Sequence, residues 1–376
     1  MTVAAVVREF GPAYVARFGA TMPPGHRRAL EDLAACRTAA MGGHVTQCDA
    51  CGHEHFVYHS CRNRSCPSCH GASTRAWLAA RATELLPVPY FHVVFTLPAD
   101  LRAIVRTHQR VLLPVLLQTA AASLQALAAD PHHLGGTVGM LAVLHTWTRT
   151  LVYHPHVHCL VPGGALAPDG VTWRPARGQY LVPVRALSAG FRARFLLRLK
   201  RVLPAVVVPA TVWTTPWVVY AKPTVQGAAL VLRYLARYVH RAAITDARIL
   251  RVDAATVTFR YQDARARAWR TMTLPGEEFL RRFLQHVLPR GLHKVRYYGW
   301  WRPQAAAVRV RLHQQLTAPA SRPPPGDPPP DAAAAPAPGC PPCPPCPHCG
   351  AGHLIRTRRL LRTHTVASDR TRARPP

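Results

Sequence analysis

Two histidines and two tyrosines stand at spacings that bring reactive groups together. His156 and His158 are two residues apart, and Tyr234 and Tyr238 are four residues apart. Side chains at i and i+2 of a strand project from one face, so the two imidazoles can ligate a single metal ion. Side chains at i and i+4 of a helix lie one above the other. A cation held beside paired tyrosines is what tyrosine attack on a DNA phosphate requires.

The histidine pair needs a third ligand. No Asp or Glu lies between Pro131 and Pro168. His145, on the preceding predicted strand, is the candidate, with His154 as its substitute. A purely structural role for His145, packed in a core or a hairpin, is equally consistent with the sequence. Imidazole is softer than the oxygen ligands that Mg²⁺ prefers, so Mn²⁺ should be accepted at least as well.

The tyrosines lie in a segment that also carries a row of arginines, Arg233, Arg237 and Arg241. The spacing by four places these guanidinium groups on one helical row beside the hydroxyls. Such a row would bind DNA by neutralising a phosphate, and it would favour the tyrosinate. Taken alone, the segment fits an ordinary amphipathic helix with a solvated Arg face. Considered together with the histidine pair, the segment is interpreted as the helix that carries the nucleophilic tyrosines of a nuclease.

Cysteine spacing predicts a zinc centre near the N-terminus. The eleven cysteines fall mostly in CxxC motifs with histidines nearby, which favours metal thiolates in a reducing compartment. Two such motifs, fourteen residues apart, predict one tetrahedral Zn²⁺ site with four ligands: Cys48, Cys51, Cys66 and Cys69. Cys36 and Cys61 are among the residues that could form a second site, although no further CxxC pair supports it there.

Two other features near the cysteines leave alternatives open. Arg62 and Arg64, between the two motifs, are predicted to contact DNA phosphate, and a solvated loop is the simpler interpretation. Near the C-terminus the spacing repeats in Cys340, Cys343, Cys346 and Cys349. Cys346-Pro-His-Cys349-Gly350 is typical of a zinc knuckle, and metal binding there is as consistent with the spacing as its absence.

Composition indicates a polyanionic partner. The formal charge is +30 at pH 7, and 47 Lys and Arg stand against 17 Asp and Glu. The preference for Arg over Lys fits a GC-rich genome, but that bias does not explain the scarcity of acids. The excess of positive charge therefore predicts DNA or RNA binding. No secretory signal is visible, and the apolar run from Val111 to Ala129 is interpreted as a buried helix rather than a membrane span.

The elements that must position these groups can be read from hydrophobic patterns. Predicted strands cover 90–97, 140–147, 156–161, 217–220, 249–252 and 256–261. Predicted helices cover 73–86, most of 99–129, 185–203, 226–243 and 276–287. Strands and helices mixed without a regular βαβ repeat predict an α+β fold with a mainly antiparallel sheet. A run of Pro and Ala between residues 317 and 345 predicts an extended linker.

The chain resembles the transposases of the insertion sequence 91 type, which are two-tyrosine HUH endonucleases of the rolling-circle group. The resemblance runs to about Pro303 through Cys48-Asp-Ala-Cys51-Gly-His, Cys66-Pro-Ser-Cys69, Phe91-His-Val-Val-Phe-Thr-Leu-Pro98, His145-Thr-Trp147, His154-Pro-His156-Val-His158, Arg233-Tyr234-Leu-Ala-Arg-Tyr238-Val-His-Arg241 and Tyr297-Tyr-Gly299. The chain departs from the family pattern at Ser65, where histidine is expected, and at Arg149, where glutamine is expected.

This resemblance implies an HUH nuclease domain whose central antiparallel sheet is flanked by helices and preceded by a small zinc-binding domain. It implies Mg²⁺ or Mn²⁺ at His156 and His158 and nucleophiles at Tyr234 and Tyr238. The expected domains are 1–85 (zinc-binding, DNA-binding), 86–310 (catalytic), 311–345 (linker) and 346–376 (basic tail).

The expected function is a transposase that nicks and rejoins single-stranded element ends and target DNA through a 5′-phosphotyrosine. The protein is expected in the bacterial cytoplasm with the nucleoid, without a membrane partner. The alternatives are a plasmid relaxase or replication initiator of the same chemistry, and a zinc-dependent DNA-binding protein whose nuclease site is inactive.

Overall fold

The computed structural model describes residues 1–224, 242–263, 266–317 and 344–362, without the side chains of residues 70, 72 and 73. Its helices are α1 Val3–Phe18, α2 Pro24–Ala35, α3 His70–Ala82, α4 Arg102–Thr107, α5 Gln109–Ala128, α6 Val184–Val202, α7 Thr211–Thr214, α8 Gly276–Leu284 and α9 Ala306–Thr317. Its strands are β1 Gly43–Cys48, β2 Glu54–Tyr58, β3 Tyr90–Thr96, β4 Met140–Trp147, β5 Tyr153–Pro162, β6 Gly164–Leu166, β7 Trp173–Pro175, β8 Val219–Pro223, β9 Ile249–Val252, β10 Thr256–Gln262, β11 Trp269–Pro275, β12 Val295–Tyr298 and β13 Leu354–Leu360.

A five-stranded sheet in the order β12-β4-β5-β3-β8 forms the centre of the molecule. Its neighbouring strands all run antiparallel, and helices flank it, which confirms the predicted α+β class. In the register of β4 and β5, His145 lies directly opposite His156. Because side chains alternate between the faces of a strand, His156, His158 and Leu160 share one face of β5, and Val157 and Cys159 share the other.

Helices α5 and α6 cover the second face of this sheet. Val157 and Cys159 of β5 are fully buried there against Phe95 of β3 and against Phe191 and Phe195 of α6. The ring centroids of Phe95 and Phe191 lie 5.0 Å apart. Aromatic and branched side chains at alternate strand positions thus bury one face completely, which fixes the strand register and turns the histidines to the opposite face.

The N-terminal helices share a core with a second, three-stranded sheet, β11-β10-β9. Phe10 of α1 packs in one cluster with Phe259 of β10 and Phe279 and Phe283 of α8. The carboxylate of Asp246 accepts hydrogen bonds from the Val3 amide at 2.8 Å and from the Ser68 hydroxyl at 2.5 Å. This core therefore joins residues on both sides of the expected boundary at residue 85.

A third sheet, in the order β13-β1-β2, brings the two ends of the chain together. Strand β13 pairs antiparallel with β1, from Gly43 opposite Leu360 to Cys48 opposite Leu354. The sequence pattern predicted a basic tail with a possible zinc knuckle here, and no strand. The short strand, rich in Arg and open on both faces, gives little local signal, and its partner lies about three hundred residues earlier in the chain.

The other elements follow the sequence pattern closely. Strands β4 and β9 begin and end where the pattern predicts, and β5 is longer than predicted by three residues at its start and one at its end. Helices α1 and α2 and strands β1, β2, β6, β7, β11 and β12 were not predicted. The predicted helix 226–243 lies outside the described residues except for its last two. Among the described helices only α5 is long and apolar enough to span a membrane, and 61% of its apolar window is buried in the protein.

Candidate metal centres and nuclease site

Three histidines converge on the face of the central sheet opposite α5 and α6, where His145 is buried and His156 and His158 are partly buried. His145 of β4 and His156 and His158 of β5 each offer a ring nitrogen, and these nitrogens all lie within 4.8 Å of one another. The ring centroids of His156 and His158 are 4.8 Å apart, and those of His145 and His158 are 4.7 Å apart. The structure thus brings the predicted pair together with the predicted third ligand.

Hydrogen bonds at Nδ1 orient two of these rings. Nδ1 of His156 donates to the backbone carbonyl of His154 at 2.7 Å. Nδ1 of His158 lies 2.8 Å from Nε2 of His92. A metal-ligating histidine commonly uses its second nitrogen in this way, because the hydrogen bond fixes the tautomer and the ring orientation. With Nδ1 engaged, Nε2 is the atom that both rings would present to a metal ion.

His92 and Tyr220 extend this arrangement across the sheet and were not singled out from the sequence. The Tyr220 hydroxyl lies 3.1 Å from Nδ1 of His92, which in turn contacts His158. The rings of His92 and His158 stack with centroids 5.0 Å apart. One signal was available: His92 is the only strongly polar side chain in the apolar run of β3, and such a residue needs a hydrogen-bonded partner.

Burial favours the neutral form of His156 and of two neighbouring histidines, His92 and His154. Desolvation lowers the pKa of His156 and lowers the pKa of His92 to about 4. The pKa of His154 is also lowered to about 4, first by burial and then by the positive charges near it. The neutral imidazole is the form that ligates a metal. The ring of His154 lies 5.3 Å from that of His156, but its Nδ1 lies 2.9 Å from the Arg102 guanidinium, and His145 rather than His154 belongs to the converging group.

Four cysteines, drawn from three segments, form a first thiol cluster near the N-terminal helices. The Sγ atom of Cys36 lies 3.5 Å from that of Cys69 and 3.7 Å from that of Cys66, and Cys61 lies 3.6 Å from Cys69. Zn–S bonds of about 2.3 Å in a tetrahedron place sulfurs about 3.8 Å apart, so these distances fit four ligands of one zinc ion. The sequence predicted Cys66 and Cys69 correctly as neighbours but gave them the wrong companions.

The predicted companions, Cys48 and Cys51, lie in a second cluster with Cys346 and Cys349. The single site of Cys48, Cys51, Cys66 and Cys69 must therefore be corrected to two clusters. The reason is geometric: β1 and β2 carry the first CxxC motif away from the second, and β13 brings the C-terminal motif back to it. Cys340 and Cys343 lie outside the described residues.

Two thiols of the first cluster have pKa values shifted in opposite directions. The hydrogen bond from the Cys66 thiol lowers the pKa of Cys61 to about 6, although burial opposes this shift. Burial raises the pKa of Cys36 to about 11. Cys61 is therefore a more acidic thiol than Cys36, and binding of a cation would release thiol protons from the cluster.

The arginines predicted to contact DNA have different surroundings. Arg62 is exposed, with a positive φ of 54°. The half-buried Arg64 guanidinium donates to the backbone carbonyls of Leu292 at 2.8 Å, Pro289 at 2.6 Å and Leu288. Arg64 thus connects the cysteine-rich segment to the 288–292 loop. Its guanidinium is engaged by these carbonyls in place of the predicted phosphate contact. Arg233, Arg237 and Arg241 lie outside the described residues, as do Tyr234 and Tyr238.

Replacing Arg64 by alanine is expected to destabilise the protein by on the order of 2–3 kcal/mol, because three buried carbonyls lose a charged donor. Urea unfolding followed by tryptophan fluorescence measures the change. Arg62→Ala is the matched control, and it should shift stability by less than about 0.5 kcal/mol. Equal effects of the two variants would show that the carbonyl contacts of Arg64 contribute nothing specific.

The family models and the relatives that match this chain are all described as transposases. A family model described as "Transposase zinc-binding domain" matches residues 6–97, and one described as "Putative transposase" matches residues 139–308. The chain is 41% identical over 317 residues to "Putative transposase y4qJ" of Sinorhizobium fredii, covering 79% of each chain. It is 29% identical over 287 residues to "Transposase for insertion sequence element IS801" of Pseudomonas savastanoi pv. phaseolicola, covering 71% of this chain and 68% of the relative. No solved structure matches the chain significantly.

The two matched regions coincide with the two kinds of site. The zinc-binding model contains six of the clustered cysteines, and the transposase model contains all three converging histidines. With its close relative covering four-fifths of the chain, the protein belongs to the insertion sequence 91 family of transposases and carries that family's N-terminal zinc-binding domain.

Proposed function

We propose that this transposase nicks and rejoins single-stranded DNA at the ends of its element, by rolling-circle transposition through a 5′-phosphotyrosine. The observation that carries the proposal is the convergence of His145, His156 and His158 on one face of the central sheet, with ligand nitrogens within 4.8 Å. Three converging imidazoles form a donor set for a divalent cation, and a DNA-acting enzyme uses such a cation at the scissile phosphate.

The donor set fits Mn²⁺ at least as well as Mg²⁺, since all three ligands are nitrogens. When bound, the ion would polarise the phosphate and neutralise charge that develops on it. The protein contributes orientation: the carbonyl of His154 fixes the ring of His156, and His92 fixes that of His158. Tyr220 holds His92 in turn, so that the chain of contacts spans β5, β3 and β8.

Tyr234 and Tyr238 are the proposed nucleophiles, on the basis of their spacing and of the family pattern. The hydroxyl oxygen of one tyrosine forms a bond to phosphorus, the bond from phosphorus to the 3′ oxygen breaks, and that oxygen leaves as a free 3′-hydroxyl after taking up a proton. One phosphodiester is exchanged for another, so no ATP is consumed. The second tyrosine permits a second cleavage, and the free 3′-hydroxyl then attacks a phosphotyrosine to join strands.

The first thiol cluster is the proposed zinc site of the N-terminal unit. For the first cluster we propose one Zn²⁺ held by Cys36, Cys61, Cys66 and Cys69, because the sulfur separations match a tetrahedron. Asp246, next to the tyrosine segment in the chain, bonds to Ser68 within the second cysteine motif. The metal would thus stabilise the surface that Asp246 contacts after the tyrosine segment in the chain. We also propose a location in the bacterial cytoplasm with the nucleoid, which the free thiols support because thiols persist in a reducing compartment.

The test is covalent capture. Purified protein is incubated with a labelled single-stranded element end and Mn²⁺, denatured in detergent and resolved on a gel. We expect a labelled protein band that survives denaturation, and its absence with chelator. A labelled plasmid origin in place of the element end separates a transposase from a relaxase or replication initiator. Binding of both DNAs without any adduct would show a zinc-dependent DNA-binding protein whose nuclease site is inactive.

A further inference from the structure

We propose that the chain holds a second structural zinc ion in a site shared by its two ends, with Cys48 and Cys51 from the N-terminal unit and Cys346 and Cys349 from the C-terminal tail. Their four Sγ atoms lie within 4.8 Å of one another. Cys48 and Cys349 are 3.7 Å apart, and Cys51 and Cys346 are 3.9 Å apart. This site extends beyond the nuclease function and does not depend on it.

The N-terminal half of the site has the backbone geometry of a zinc knuckle. The amide of Gly52 donates to the carbonyl of Cys48 at 3.0 Å, and Gly52 has a φ of +68°, which favours glycine. The amide of Cys51 points at the sulfur of Cys48, with N and Sγ 3.4 Å apart. Amides directed at a sulfur stabilise its negative charge, so this turn is built to hold a thiolate.

The C-terminal half repeats that geometry. The amide of Gly350 donates to the carbonyl of Cys346 at 2.9 Å, and Gly350 has a φ of +70°. The amide of His348 lies 3.4 Å from the sulfur of Cys346. Two turns from opposite ends of the chain thus adopt the same shape and point their sulfurs at one volume. A tetrahedral ion shared by the two turns requires such a convergence of four sulfurs, which chance packing does not readily produce.

Backbone contacts hold the two turns face to face. The amide of Asp49 donates to the carbonyl of His353 at 3.1 Å, and the carboxylate of Asp49 accepts from the amide of His353 at 2.8 Å. The pairing of β1 with β13 continues from this point. Cys48 and Cys346 are 3% and 1% exposed, so half of the ligand set is shielded from solvent.

Zinc is the ion that this donor set selects. Four thiolates in a tetrahedron suit Zn²⁺, and sulfur separations of 3.7 and 3.9 Å bracket the value of about 3.8 Å that Zn–S bonds of about 2.3 Å produce. Binding releases the thiol protons, and the ion then carries part of the folding free energy of this unit. The match to the zinc-binding family model ends at residue 97, well before the two C-terminal ligands.

Metal counting on the full chain tests the site. Purified protein should contain two zinc ions per chain by plasma mass spectrometry, and Cys346→Ser with Cys349→Ser should contain one. Cys340→Ser with Cys343→Ser, in the same tail, is the matched control and should keep two. A single zinc ion in the parent chain, or two in the Cys346/Cys349 variant, would overturn the proposal. These zinc contents do not depend on DNA cleavage, so they test this site independently of the nuclease proposal.

A second measurement does not require the variants to fold well. A protease recognition sequence inserted after Pro338 allows the tail to be cut from the intact, metal-loaded protein. The tail should then co-elute with the body in gel filtration and separate from it when a chelator removes zinc. A tail that separates while zinc is bound, or that stays attached to the same extent in Cys48→Ser with Cys51→Ser, would refute the metal-held junction.

Discussion

Replacing both His156 and His158 by alanine is expected to abolish divalent-dependent cleavage, a loss on the order of a thousandfold or more, because the scissile phosphate loses its cation. Affinity for single-stranded DNA should change by less than about threefold, since it comes from contacts between arginines and phosphates. The covalent-capture gel measures cleavage, and fluorescence anisotropy of a labelled strand measures binding.

The control for this pair is His132→Ala with His133→Ala, an exposed and a partly buried histidine of the loop after α5. This variant should cleave like the parent. Cleavage by the His156/His158 variant at added Mn²⁺ would contradict the metal assignment. Loss of DNA binding together with cleavage would mean that the histidines support the fold of the sheet rather than the chemistry.

Replacing both tyrosines, Tyr234→Phe with Tyr238→Phe, is expected to remove the covalent adduct completely. Phenylalanine keeps the ring that packs and removes only the nucleophilic oxygen. Each single variant should fail in complete transposition, and at least one should still form an adduct with a single-stranded end. Proteolysis of the parent adduct should release a DNA-linked peptide that contains residues 234–238.

The structure supplies a sharper control for the tyrosines. The Tyr220 hydroxyl is linked through His92 to the candidate metal ligand His158, so it is the described hydroxyl best placed to substitute as a nucleophile. An adduct that persists in the double variant and disappears with Tyr220→Phe would move the nucleophile to β8. Tyr180→Phe, at a half-exposed position away from these contacts, should leave the adduct unchanged.

The sequence predicts the central sheet well because its signals are local. Alternation along β5 placed His156 and His158 on one face, and the apolar runs of β3 and β4 marked their strands. His145 was correctly expected beside them, since consecutive antiparallel strands commonly pair. The link from His158 through His92 to Tyr220 escaped prediction, because β3 and β8 lie far from β5 in the chain and only the sheet order makes them neighbours.

The cysteine clusters show a limit of spacing arguments. Two CxxC motifs fourteen residues apart satisfy the pattern of one zinc site, and nothing local distinguishes that from two half-sites. The structure separates them because each motif finds its partners through packing: Cys66 and Cys69 through the α1–α2 core, and Cys48 and Cys51 through β13. A single unmatched knuckle near a chain end is therefore better regarded as half of a site.

The pairing of β1 with β13 also determines when this sheet can form during translation. Cys51 and Cys346 are separated by 295 residues. At about 5–20 residues per second, a ribosome delivers the C-terminal knuckle roughly 15–60 seconds after the N-terminal one. During that interval Cys48 and Cys51 have no partners from the tail, and β1 has an open edge. A chain that ends early, through a nonsense mutation or a broken element, never closes this edge. Completion of this sheet therefore requires that translation has passed Leu360.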